Sequence, residues 1–458
     1  MPKANDRVVS QGITRKEFLR RGLMLAAAVP MTQILAACGS EGPAATTAGA
    51  TGSSAESTKD FSGQTLRFLA AQPQAGAAEL LKPLFEERTG ATVEVTVVPY
   101  TEIQSKATLD VQSGANEFDV FQYWYTSVGA LAEAGVFADI TDLIEDNAGE
   151  IQPDDFIPAI YDPYTLHHGR RYGLPFDGDY HILFCNMEIF ERAGVEIPTT
   201  WDEYTAVAEE ITGKLSGEGI YGAALLGRKT AFDIGSSFFN RLATFGGQAI
   251  VDGRSGLDSA AAIQAATAMA DVAPHALPTP LETGFDTALP QWLAGKVGMM
   301  EFWTDLGTFS QDQENSNVVD KWEAVPLPTG PDGPQATALN AGWAFAISAN
   351  AQNPELALEF IKFATSAELN EQLITTTGSG IDPNRRSTLN SGVYKEFAPK
   401  VQPVAAQVVE NSMSWPTVPQ APELITILND ELALMLQGTK SPEQAVETIH
   451  TRWNEVLA

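Results

Sequence analysis

From about residue 60 onward, apolar positions alternate between two periods. Leu66–Ala70 is a short apolar run that reads as a strand. In Ala77–Arg88, Leu80, Leu81, Leu84 and Phe85 share one helical face, and Gly90 stops the helix. Thr92–Val98 places Val93, Val95 and Val97 at every second position, as a strand does. Glu102–Gln112 reads as helix, Phe118–Phe121 as strand, and Val128–Ala134 as a short helix ending at Gly135. This succession predicts an α/β fold with a largely parallel sheet. The stretch Arg171–Asn186, RYGLPFDGDYHILFCN, departs from it. Turn-forming Gly173, Pro175 and Gly178 lead into the apolar strand Ile182–Cys185, with Asp177, Asp179, Tyr180 and His181 between. Polar and aromatic groups on irregular backbone beside a strand suit a binding site. The competing reading is a surface turn leading into a core strand.

The pattern before residue 60 is different. Arg15, Lys16, Arg20 and Arg21 precede the apolar run Leu23–Val29, which is too short to stay in a bilayer. Residues 1–37 therefore read as an export signal. Leu35-Ala36-Ala37-Cys38 resembles the lipobox of bacterial lipoproteins, which implies lipidation of Cys38. Thr14-Arg15-Lys16-Glu17-Phe18-Leu19-Arg20 resembles a twin-arginine signal, with Lys16 in place of the second arginine. Gly, Ala, Ser and Thr dominate residues 39–60, a flexible tether. Residues 38–61 would thus hold a globular body at the cell envelope, on the outer face of the cytoplasmic membrane or in the periplasm.

Composition narrows the function. The 458 residues suffice for two or three domains or one large two-lobed body, and 44% are hydrophobic. The net charge is −30; beyond residue 37 the balance is 22 basic against 56 acidic groups. So acidic a surface repels phosphate backbones and argues against nucleic acid. Of the two cysteines, Cys185 lies in an apolar run and reads as a buried thiol. No Cys-x-x-Cys or His-x-x-x-His spacing is present, so no zinc site, and no cofactor, is expected. Met299-Met300 reads as core and His167-His168 as a polar loop pair.

Several blocks share one resemblance. Glu117–Phe121 followed by Leu131–Phe137 resembles the first-lobe signature of family 1 extracellular solute-binding proteins, the maltose-binding-protein-like, sugar-type lipoproteins of ABC importers. Tyr172–Asn186, Phe190–Gly194 and Pro198–Glu203 are similar to that family's most recognisable block, and Thr200 with Glu203 forms a capping-box pattern. Phe245-Gly246-Gly247, Ala294–Met300 with Trp303, Ala341–Trp343, Ala346–Ser348, Asn353–Glu355, Phe360–Phe363 and Gly378–Arg386 follow in the family's order. The last block carries an acidic Asp382.

The resemblance implies a two-lobed, type II periplasmic-binding-protein-like fold with a ligand cleft between lobes. Lobe 1 would hold 62–178 and 345–388, and lobe 2 would hold 182–340 and 392–458. Crossovers are expected near Gly178–Ile182, Leu339–Ala344 and Asn384–Tyr394. It implies capture of a carbohydrate or polyol for delivery to ABC permease transmembrane subunits, by a monomer held to the membrane through its lipid. Sugars need directional partners for their hydroxyls and a flat apolar wall for their C–H faces. The candidates are Trp124 or Tyr125 after the strand at 119–121, Asp179 with Asp177 as runner-up, Tyr180, Phe245, Trp303, Trp343, and Arg385 or its neighbour Arg386. Against several stands a plainer role: core packing for the tryptophans, a turn for Asp177, a turn support for Phe245, a surface ion pair for Arg385.

Other functions compete. The same fold could serve a polyamine, glycerol phosphate or a peptide, or an adhesive or signalling role. An enzyme needs a catalytic set. Asp177 and Asp179 are close in sequence, whereas a glycosidase pair flanks its bond from opposite sides. No Gly-x-Ser-x-Gly, His-Glu-x-x-His or Walker motif occurs. A binder is the expectation.

Overall fold

The computed structural model of the protein describes residues 59–458 apart from 231, 335 and 336. The expected export signal and Cys38, with the tether up to residue 58, lie outside the described residues. Nine strands in two sheets frame the body: β1 (Thr65–Ala71), β2 (Thr92–Val98), β3 (Val120–Trp124), β4 (Leu174–Asp177), β5 (His181–Asn186), β6 (Tyr221–Ala224), β7 (Val297–Trp303), β8 (Trp322–Val325) and β9 (Trp343–Ile347). The first sheet has the order β2-β1-β3-β9-β4 and the second β8-β5-β7-β6. Short two-residue ribbons decorate both.

The strand–helix alternation holds, but the sheets are mixed rather than largely parallel. In the first, β1 pairs in parallel with β2 and β3, while β9 runs antiparallel to β3 and β4. In the second, β7 is parallel to β6 and antiparallel to β5, which is antiparallel to β8. The reason is the connectivity. β4 runs out of the first sheet toward the second and β9 runs back, so the two must point in opposite directions.

Helix α1 (Ala75–Thr89) buries Ala77, Ala78, Leu81 and Phe85, and closes on left-handed Gly90. It packs with α5 (Pro354–Ala364) on the first sheet, where Phe68 meets Phe345 and Phe360 edge-on or tilted, each at 5.3 Å. On the second sheet lies α2 (Trp201–Leu215). Thr200 and Glu203 form the capping box, and Trp201, Tyr204, Ala208, Ile211 and Leu215 make one buried stripe. Helices α3 (Asp233–Thr244) and α4 (Ala260–Val272) are joined there by the C-terminal pair α6 (Ala421–Leu436) and α7 (Pro442–Leu457).

The core of this second body holds one full ion pair. Arg241 donates to both carboxylate oxygens of Glu301, at 2.9 Å each, with both residues buried. Trp201 lies against the guanidinium, 4.2 Å from its ring centroid, and Asn240 also donates to Glu301 at 3.0 Å. Every charge is met at bidentate geometry, which a buried pair requires.

Three segments pass between the two sheets and bond to one another. Gly178 N–H donates to Asp382 O at 3.2 Å, Ala341 N–H to Asp179 O at 2.9 Å, and His181 N–H to Leu339 O at 3.0 Å. The fit needs glycine. A Cβ on Gly178 would stand 2.1 Å from Pro383 O, and one on Gly342 would stand 2.1 Å from Asp177 O. The crossovers thus form one hydrogen-bonded bundle at the carboxyl ends of β3, β4 and β7, the side where open α/β sheets bind ligands.

Candidate functional site

The first wall comes from the first sheet. Trp343 is paired directly with Trp124 and with Asp177, which puts the three side chains on the same sheet face. The sequence-predicted strand at 118–121 runs instead over Val120–Trp124, so Tyr123 and Trp124 lie within it. Tyr123 turns inward and bonds Tyr164 O at 2.7 Å. Trp124 faces the second body, where it meets Phe232 at 5.3 Å and Trp415 at 5.0 Å, both edge-on. Phe232 continues to Trp303 at 5.7 Å, and Trp303 to its strand partner His181 at 4.3 Å. A continuous aromatic lining therefore runs from one sheet to the other.

The second component is acidic. Asp177, Asp179, Asp305 and Asp382 are all buried around the crossovers. Asp177 accepts Asp382 N–H at 2.9 Å and Gln74 Nε2 at 3.3 Å. Asp179 Oδ1 accepts both the N–H and the hydroxyl of Thr304, at 3.1 and 3.0 Å. One oxygen each of Asp305 and Asp382 has no protein partner, nor has the Tyr180 hydroxyl. Burial drives all four carboxyls above the ordinary Asp range, and charge repulsion from Asp382 adds to this for the other three; Asp382 itself is pushed up to about 6. His181 goes the other way: burial pushes it down to about 3, which keeps it neutral.

The remaining sequence candidates lie elsewhere or have their polar atoms engaged. Tyr125 stacks on Tyr164 at 4.2 Å, donates to Asn340 O at 3.2 Å and accepts Trp415 N–H at 2.8 Å, tying a crossover to the first sheet. Arg385 does not reach toward the acidic cluster. Its donors go to the carbonyls of Thr365, Ile151 and Gln152 and to Asp155, and its guanidinium lies 3.9 Å from the Phe156 ring centroid. It fastens the third crossover to the first body. Its neighbour Arg386 pairs with Glu410 at the surface. Phe245 packs against Gly330, and among the described residues no ring contact joins it to the aromatic lining.

Geometry also adds residues that sequence reasoning passed over. Gln74 follows β1 at its carboxyl end, a position the strand prediction already marked. Asp305 stands two residues after Trp303. Phe232 and Trp415 come from irregular segments with no periodic signal.

Two clusters could offer a cation three ligand atoms within 4.8 Å: Asp177, Asp179 and Asp382, and Glu133, His167 and His168. The second is at the surface, where both imidazoles share one Glu133 oxygen at 3.3 Å, an ordinary hydrogen-bonded arrangement. Among the described residues no helix is long and apolar enough to cross a membrane.

Residues 67–371 match the sequence pattern of a family described as bacterial extracellular solute-binding protein. A probable amino-acid ABC transporter periplasmic-binding protein from Sinorhizobium fredii is 26% identical over 416 residues, 89% of this chain and 93% of its own. The erythritol/L-threitol-binding protein of Mycolicibacterium smegmatis is 24% identical over 413 residues, 84% of each protein. An ABC transporter solute-binding protein from Agrobacterium radiobacter, solved in complex with ribitol, matches with a TM-score of 0.78 at 24% identity, over 87% of this chain and all of its own. That likeness shows the fold, a two-lobed one.

Proposed function

Because this chain belongs to the family of bacterial extracellular solute-binding proteins, we propose that it captures a carbohydrate or polyol between its lobes and delivers it, unaltered, to the transmembrane subunits of an ABC importer. One observation carries the reading: unpartnered buried acceptors on the crossovers, beside an aromatic lining drawn from both sheets. Hydroxyl groups supply the missing donors, and the C–H groups of a sugar ring or an open polyol pack on Trp124, Trp303, Trp343 and Phe232. Polyols in the names of two relatives support the same class. The expected lobes are 62–178 with 345–388 and 182–340 with 392–458, a division that sheet membership supports. A ligand that touches both favours the closed state by its difference in affinity for the two states.

Thermal-shift screening of mono-, di- and trisaccharides and polyols tests the reading. A ligand at 100 times its Kd adds about 2.7 kcal/mol of stability, a shift that is easily read. With peptides, polyamines and glycerol phosphate in the same screen, a response only to those would overturn it. Recovery of the bound compound with a changed mass would overturn the non-enzymatic part.

The export signal and the lipid on Cys38 belong to the same proposal, as does a monomeric state. Cys38→Ser should move the protein from the membrane to the soluble fraction or block its processing. Unchanged retention and mass would count against the anchor. Sedimentation should give a single species of monomer mass.

A further inference from the structure

We propose that the ligand carries a protonated amine on its hydroxylated skeleton, held by the free carboxylate oxygens of Asp305 and Asp382 beside the Tyr180 hydroxyl. The inference rests on the capture reading above and narrows its ligand class.

Charge and hydrogen-bond sense both point to an amine. Four carboxylates from three segments meet at the crossovers: Asp177 and Asp179 flank Gly178 between β4 and β5, Asp305 follows β7, and Asp382 opens the third crossover. Among the described residues no lysine, arginine or histidine pairs with any of them; their near neighbours are one another and neutral donors. The contrast is Glu301, a carboxylate equally buried in the second body, which has its own arginine. Buried carboxylates normally have a cation or a full set of donors. Here the donors run short. Asp177 and Asp179 have neutral ones, from Gln74, the Asp382 backbone and Thr304. Asp305 Oδ1 and Asp382 Oδ2 have none. The Tyr180 hydroxyl, wholly buried and also unpartnered, stands in the field of Asp382, Asp179 and Asp177.

Two further acceptors on the crossovers are unmet, while Trp415 Nε1 in the aromatic lining is a donor without a partner. Asn340 and Asn384 spend their amide N–H groups on Ala159 O and Ser414, and on Pro175 O and Phe176 O, which leaves both side-chain oxygens free. The site thus leaves several acceptors without a donor and holds no cationic side chain of its own among the described residues. A hydroxyl brings a donor but no charge. An alkyl ammonium brings three donors and one charge, and aromatic rings such as Trp124, Phe232 and Trp303 suit a cation as well as C–H groups.

Calorimetry at pH 7 on the full-length protein separates the alternatives, with matched probes: D-glucamine, its neutral twin D-sorbitol and N-acetyl-glucamine, then D-glucosamine, D-glucose and N-acetyl-glucosamine. The amine should bind about tenfold tighter than its neutral twin, the margin of a charged over a neutral hydrogen bond. The N-acetyl form should lose that margin. In Asp382→Asn the margin should fall to about threefold or less, with Asp305→Asn as the second variant if the first does not fold. Neutral probes that bind as well as or better than the amines would overturn the amine while leaving the polyol reading intact. No binding by any of the six would overturn the amine, and binding of spermidine alone, titrated as a seventh probe, would overturn both. Calcium chloride alone, giving a titration that Asp382→Asn abolishes, would overturn the amine in favour of a metal occupant.

Discussion

At the residue scale, the acidic cluster costs the ligand-free protein stability, and one substitution can reveal it. Asp382 has a folded-state value of about 6, well above the unfolded carboxylate range, and Asp177, Asp179 and Asp305 are raised too. The folded state therefore binds more protons than the unfolded state between about pH 4 and pH 6, and stability falls as pH rises through that window. Asp382→Asn removes one contributor. Its Tm should exceed the parent's at pH 7, with the gap closing as pH falls toward about 4. Equal Tm values across that range would show the carboxylates to be compensated. Glu301 has the opposite character. Glu301→Gln leaves Arg241 charged and buried without its partner, and should destabilise by about 3–5 kcal/mol in urea titration. A loss below about 1 kcal/mol would mean that solvent reaches the pair. For ligand, Trp303→Ala should cost about 2–4 kcal/mol of binding as a buried aromatic anchor. Asp179→Ala should cost about 1.5–3 kcal/mol. Calorimetry on folded variants checks both, and parent-like affinity in the pair would place the ligand elsewhere.

At the element scale, the crossovers are the part that tolerates least change. Gly178→Ala forces a methyl to within 2.1 Å of Pro383 O, so two crossovers must move apart. The expected result is a loss of about 1–3 kcal/mol of stability, as for overpacking, with weaker ligand binding. An unchanged Tm and affinity would show that the bundle yields freely. The elements themselves are legible in the sequence where a period repeats: β2 runs over the predicted Thr92–Val98, and α1 buries Leu81 and Phe85 of the predicted face. The parallel sheet is not, because a strand's direction depends on which lobe the backbone enters from, and local alternation does not record that. The site is half legible. Asp177, Asp179, Trp303 and Trp343 stand in regular strand or strand-edge positions that a family pattern marks. Phe232 and Trp415 come from irregular segments, and only tertiary folding brings them to Trp124. Arg385 reads as a surface or ligand cation because sequence does not show the carbonyls of Ile151, Gln152 and Thr365 gathered around it.

At the scale of the whole molecule, the lobes meet across aromatic and polar contacts that ligand would reinforce. Tyr100 packs on Phe232 at 4.5 Å and accepts a hydrogen bond from Arg228 at 3.1 Å, and Arg228 is itself held by Asp233 and Asp286. These contacts join the loop after β2 to the segment before α3, with Phe232 shared between them and the aromatic lining. Ligand bound between the lobes should hold them shut. Small-angle scattering of the protein with and without a sugar, polyol or amino-polyol that thermal shift has identified measures this directly. The radius of gyration should shrink on saturation, and Trp303→Ala at the same ligand concentration should lose that contraction. A saturated protein with an unchanged radius and unchanged scattering profile would contradict closure around the ligand.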